Sequence, residues 1–152
     1  MTSKFRAVPT YYCSHSRKIS SKRLTRFDLR FDSKFEAQVY AKLRELVPAT
    51  RIERQVPLLI KPETIVYRPC FWKCDFRIRH HSHNSKYWNV EAKGFLTREF
   101  LRNLEYLQLY SLSDWSRLLI VTSNTSLKVR HFTPFSLNQL ERFLTETNFV
   151  ER

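Results

Sequence analysis

The run YWNVEAKGF at positions 87–95 holds the single glycine of a 152-residue chain. One glycine cannot build a glycine-rich phosphate loop, so P-loop folds are excluded. The run is aromatic and apolar and reads as a buried strand. It nonetheless carries Glu91 and Lys93, whose spacing points both side chains to the same side of an extended chain.

The setting of those two charges comes from composition. Hydrophobic residues at 42% and aromatic residues at 14% argue for a packed globule, and 152 residues fit one domain with a real core. The net charge is +13. A fold gains nothing from such self-repulsion, and a polyanionic partner accounts for it: nucleic acid first, an anionic membrane surface second. No run of about 18 apolar residues is present, so no segment reads as a membrane span; with nucleic acid as the first candidate, no membrane partner is expected. The first residues lack a secretory apolar core; they are basic and free of acid before Asp28, a loose likeness to an organelle import signal. Three cysteines (Cys13, Cys70, Cys74) are no disulfide framework and suit a reducing, intracellular compartment, such as the cytoplasm or nucleoid of a bacterial or phage-infected cell.

Residues 1–30 carry eight Lys or Arg and one acid. They read as a basic N-terminal arm that would lie along phosphates through Arg17, Lys18, Lys22, Arg23 and Arg26. The run FDSKFEAQVYAKLREL (31–46) predicts a helix capped by Ser33 and stopped by Pro48. RIERQVPLLI (51–60) reads as a strand, and KPETIVYRP as a turn and short strand. FWKCDFRIRH (71–80) alternates, with Asp75, Arg77 and Arg79 on one side and Cys74, Phe76 and Ile78 on the other. HHSHNSK (80–86) is a hairpin loop, and 87–94 the returning strand. REFLRNLEYLQLYSLS is a helix capped by Thr97, RLLIVTS (117–123) a doubly covered central strand, LKVRHF a further strand, and 136–148 a helix capped by Ser136. The expected order is α-β-β-β-α-β-β-α, an α/β fold with a mixed sheet flanked by helices. No internal repeat or low-complexity segment is present.

A hairpin through 80–86 sets Asp75 beside Glu91 and Lys93. Two adjacent carboxylates repel, and a divalent cation relieves the cost; hard oxygen ligands favour magnesium. A lysine next to such a ligand can orient or deprotonate an attacking water, or balance charge as a phosphodiester is cut.

These residues resemble the PD-(D/E)XK nuclease superfamily. CDF (74–76) matches its first half-motif, VEAKG (90–94) its second, and the 31–46 helix the one supplying an upstream glutamate, here Glu36. ERQVPL (53–58) resembles the Gln-x-Pro strand of several phage and transposon members, so Gln55 joins the candidate DNA contacts. The pattern is most similar to small phage-encoded, junction-resolving, homing or transposase-type endonucleases. Cys74 stands where the family carries proline. The resemblance covers roughly 30–125 and implies a restriction-endonuclease-like core, with 31–152 as a single nuclease-like domain. It further implies Asp75, Glu91 and the Ala92 carbonyl as ligands of Mg2+, for which Mn2+ substitutes. Lys93 would position or activate water. Glu36 would reach the site through water or hold a second ion, and Gly94 would let the chain turn closely past it. The expected activity is metal-dependent DNA endonuclease on duplex or branched DNA, with a homodimer or higher homo-oligomer needed to cut both strands.

Plainer readings stand beside these. Ser33-x-x-Glu36 is a capping box on its own. Glu91 and Lys93 could be an exposed cross-strand pair, and Asp75 could pair with Lys73, Arg77 or Arg79. Cys70, Cys74, His80, His81 and His83 suggest zinc, or a histidine-rich tip that touches phosphates. Tyr11, Tyr12 and Trp115 are candidates for base contact. The alternative function is a non-catalytic basic nucleic-acid-binding module, with a zinc-stabilised domain behind it.

Overall fold

The apolar stripe Val39, Leu43 and its neighbours folds as α1 (Lys34–Leu46), with the Ser33 hydroxyl accepting from the Glu36 N–H at 3.1 Å. In this computed structural model, which describes residues 8–124 and 126–150, three strands precede that helix: β1 (Thr10–Cys13), β2 (Lys18–Ser20) and β3 (Leu29–Phe31). They form an antiparallel sheet in the order β2-β1-β3. Residues 10–31 are therefore not an extended arm. Tyr12 and Phe31 sink into the core against Tyr40, which places Tyr12 among packing residues rather than at a base.

After a turn at Ala49–Arg51 come β4 (Ile52–Lys61), β5 (Cys70–Arg79) and β6 (Tyr87–Ala92), joined antiparallel. Two helices follow, α2 (Arg98–Tyr110) and the single turn α3 (Leu112–Trp115), before β7 (Leu118–Val121) pairs parallel to β6. α4 (Leu137–Glu146) closes the chain with a full capping box between Ser136 and Gln139. The larger sheet has the order β4-β5-β6-β7. The mixed sheet with helices is as expected.

Two expected strands are absent. Residues 62–69 form a loop between β4 and β5. LKVRHF turns back on itself, because His131 takes a left-handed φ of 67° and only Val129 and Phe132 bridge. The free edge of β7 instead receives Phe135, whose N–H donates to the Ile120 carbonyl at 2.8 Å.

Helices cover both faces of the sheet. α1 and α4 pack with Val90, Leu119 and Val121, whereas α2 packs with Leu118 and Ile120. β5 contributes to both layers in an unusual way. Cys74 joins the α2 layer, yet Phe76 and Ile78 join the α1 layer. A strand of strict period two would send all three to one side. The change falls at Asp75, and opposite it in the register lies Gln55, in a left-handed conformation with φ 51°. The sheet is thus kinked where the candidate residues sit.

Arg54, beside that kink, ties the small sheet to the large one. Its guanidinium lies 4.1 Å from the Phe31 ring centroid and donates to the Arg30 carbonyl at 2.6 Å. Arg54→Ala is expected to lower stability by about 2 kcal/mol, with loss of protease resistance concentrated in residues 10–31. An unchanged melting temperature and digestion pattern would rule out that tie.

Candidate active site

Asp75 and Glu91 face each other at the point where the β5–β6 ladder ends. Their carboxylates replace strand carbonyls as acceptors. The Asp75 N–H donates to Glu91 Oε2 at 3.1 Å, and the Ala92 N–H donates to Asp75 Oδ2 at 2.9 Å. Each acid is therefore fixed by the other's strand. Glu91 is 2% exposed, so the exposed cross-strand reading fails for it.

Lys93 continues past β6, its backbone N–H held by the Val121 carbonyl at 2.8 Å. Its Nζ lies 2.6 Å from Glu91 Oε1 and 4.7 Å from the Phe100 ring centroid at the start of α2. Glu36 reaches in from the first turn of α1 and is buried. Gln55 Nε2 stands 3.5 Å from its Oε1, a weak hydrogen bond. Ser33 accepts from the Glu36 backbone, but among the described residues the reciprocal side-chain bond of a capping box occurs only in α4. The Glu36 carboxyl thus does not close the capping box that the spacing suggests.

Electrostatics bind the acids into one unit. Burial first, then the Asp75 charge, raises the Glu91 carboxyl to about 7, against the pull of Lys93. Burial, Asp75 and Asp32 raise Glu36 to about 7 as well. Burial likewise raises Asp75, in spite of the Ala92 N–H and Lys93. Burial disfavours the Lys93 ammonium, but Glu91 and Asp75 outweigh it and its pKa rises. Lys93 therefore stays charged at neutral pH, which suits holding charge better than accepting a proton.

Two further members escaped the sequence reading: Asp32, whose charge raises Glu36 and Asp75, and Arg54, whose charge lowers both. Asp32 precedes Glu36 by one helical turn, a signal that was available. Arg54 had none beyond its place next to Gln55.

Other candidates scatter. Asp75 makes no ion pair with Lys73, Arg77 or Arg79; among the described residues Arg77 pairs with Asp114 and Arg79 with Glu53. Arg17, Lys18, Lys22, Arg23 and Arg26 are all exposed. The loop bearing the last three is organised by Asp28, which accepts from the Leu24 and Thr25 N–H groups at 2.7 and 3.1 Å. Gln55 is exposed at the kink beside Glu36. Tyr11 is half-buried in β1, and Trp115 packs on Phe132 with ring centroids 5.4 Å apart.

The zinc arrangement does not form. Cys70 is exposed and Cys74 fully buried, its Sγ 3.4 Å from the Val90 carbonyl. Four residues of strand separate the two thiols by roughly 13 Å. His80 stacks on His81 and packs against Phe149. Among the described residues no three His, Cys, Asp or Glu side chains converge closely enough to hold an ion by themselves.

Gly94 does not have the expected backbone role. It lacks a positive φ, and a Cβ built on it meets nothing within 4 Å. Gly94→Ala is expected to leave the melting temperature unchanged or raise it by about 2 °C, through the less flexible unfolded chain. A fall of several degrees would show that the fold itself requires the glycine.

No family model matches the chain, and searches of curated proteins and of solved structures find no match.

Proposed function

We propose that this protein is a divalent-metal-dependent DNA endonuclease with a site of the PD-(D/E)XK kind. The observation that carries the reading is the interlocked pair Asp75–Glu91, buried at a sheet kink with Lys93 on one carboxylate and Glu36 coupled to the other. Buried acids crowded until their pKa values rise are the arrangement that functional sites use to hold a cation or move a proton.

The donor set fits a hard cation. Asp75 and Glu91 would supply carboxylate oxygens, the Ala92 carbonyl would add a third, and Glu36 would reach the ion through water or hold a second one. Mg2+ or Mn2+ bound there would polarise the scissile phosphate and acidify a water. Lys93 holds a fixed positive charge beside the phosphate and orients the water through its N–H groups. Glu36 and Glu91, raised to about 7 in the free protein, would release protons to hold a cation. Arg17, Lys18, Lys22, Arg23, Arg26 and Gln55 are proposed to hold the phosphate backbone. A homodimer or larger homo-oligomer would bring two sites to a duplex. The free thiols suit a reducing compartment. Among the described residues, no helix is long and apolar enough to cross a membrane.

The test is to incubate the protein with supercoiled plasmid and with a four-way junction, in magnesium, in manganese and in EDTA. Cutting that requires the metal supports the proposal. Salt-sensitive binding with no cutting in either metal would leave a nucleic-acid-binding module.

A further inference from the structure

The loop between β4 and β5 encloses a cleft of about 540 Å³ against α2, well away from the carboxylates. Three tyrosines line it: Tyr67 from the loop, Tyr106 and Tyr110 from α2. Lys61 and Arg68 line it too, and no carboxylate does. The other large clefts differ. The one beside Phe35 holds Lys42 already paired with Glu45 and Glu141, and the one beside Val8 has no aromatic ring.

Two of the three rings are exposed and Tyr106 is half-buried. Tyr67 is 73% and Tyr110 49% exposed. The Tyr67 backbone is pinned by Thr64: its N–H donates to Thr64 Oγ1 at 3.0 Å, and the Thr64 N–H donates to the Tyr67 carbonyl at 2.9 Å. Tyr106 and Tyr110 sit one helical turn apart with centroids 6.5 Å apart, and Lys61 Nζ lies 4.4 Å from the Tyr106 centroid. Exposed aromatic faces interleaved with cations form a surface on which unpaired bases stack while their phosphates are neutralised. A paired base has both faces covered and cannot use it.

We propose that this cleft binds an unpaired nucleotide of the DNA substrate. The inference rests on the nuclease reading for its partner and narrows it: the preferred substrate carries a single-stranded overhang or branch. Position agrees. Cys70 at the cleft is five residues along β5 from Asp75, roughly 16 Å, about the rise of five stacked nucleotides. On the other wall, Tyr106 shares α2 with Phe100, whose ring meets Lys93.

The test measures binding without cutting. Fluorescein-labelled blunt duplex and the same duplex with a ten-nucleotide oligothymidine overhang are titrated in EDTA and followed by anisotropy. The wild type is expected to favour the overhang DNA roughly tenfold. Tyr67→Ala and Tyr110→Ala should each remove most of that preference, while Tyr67→Phe and Tyr110→Phe keep it. Equal affinity for the two DNAs, or a preference that survives both alanine changes, overturns the proposal. The two readings fail separately. Overhang DNA held through the tyrosines but never cut in magnesium keeps the cleft and removes the nuclease. Metal-dependent cutting with no overhang preference keeps the nuclease and removes the cleft.

Discussion

Lys93→Ala is expected to slow strand cutting by a factor of about 10²–10³, while DNA affinity changes less than about threefold. Among the described residues Lys93 is the one cation paired with the buried acids, and its raised pKa keeps it charged at neutral pH. Removing a single charge-stabilising group aimed at a transition state costs on the order of 10²–10³ in rate. Binding depends on many exposed cations and barely notices one that is three-quarters covered. The stability effect carries a sign that identifies the cause. Without Lys93, Glu91 is buried with no counter-charge, and its carboxyl pKa rises further. Below about pH 6 Glu91 is then neutral and the variant folds almost as well as wild type. At pH 8 wild-type Glu91 is largely ionised beside Lys93, whereas the variant must keep it protonated against an ionised unfolded state, and the loss is about 1 kcal/mol. A variant that cuts at near wild-type rate removes Lys93 from the chemistry.

Glu36→Gln is expected to stabilise the metal-free protein at pH 8 while costing more than tenfold in cutting. A folded-state pKa of about 7, against an ordinary 4.5, means the folded protein prefers the protonated acid. That contribution is fully present below pH 4.5 and is lost as pH rises through 7. Glu91 and Asp75 shift in the same direction, so wild type loses stability between about pH 5 and 8. Glutamine does not titrate. The variant should match wild type at pH 5 and exceed it by about 2 kcal/mol at pH 8. Millimolar Mg2+ or Mn2+ should return part of the lost stability to wild type at pH 8, with little effect at pH 5 where the acids hold protons. Melting curves across pH, with and without metal, measure all of this. Destabilisation at every pH with cutting intact would instead make Glu36 a helix cap.

The parts of this account that were legible in sequence are those with long periodicity. FWKCDFRIRH and YWNVEAKG alternate over enough residues to be placed as a hairpin, and the hairpin alone brings Asp75 to Glu91. β1, β2 and β3 were not legible. They have four, three and three residues, and their basic charge masks two core aromatics, Tyr12 and Phe31. LKVRHF looks like a strand by propensity, but the β7 edge it would join is taken by Phe135, and no local pattern reports that competition. Ser33-x-x-Glu36 is ambiguous for a physical reason: the spacing that lets Glu36 reach back to a cap also lets it reach forward to another element. Only burial and the neighbouring Asp75 separate the two. The kink at Gln55 was hidden as well, since a glutamine with φ 51° is a choice made by tertiary structure.

The central claim is that Asp75 and Glu91 do chemistry rather than merely close a sheet. Its most direct measurement is the cutting rate of Asp75→Asn and Glu91→Gln beside wild type, on whichever DNA the wild type cuts best, in saturating magnesium. Both substitutions keep size and one acceptor oxygen for the backbone N–H each acid receives, so both proteins should fold and hold DNA. The account predicts that each loses at least about 10³ in rate, and that the double variant is no worse than the slower single one, because the pair acts as a unit. Folded variants that cut within about tenfold of wild type would contradict it.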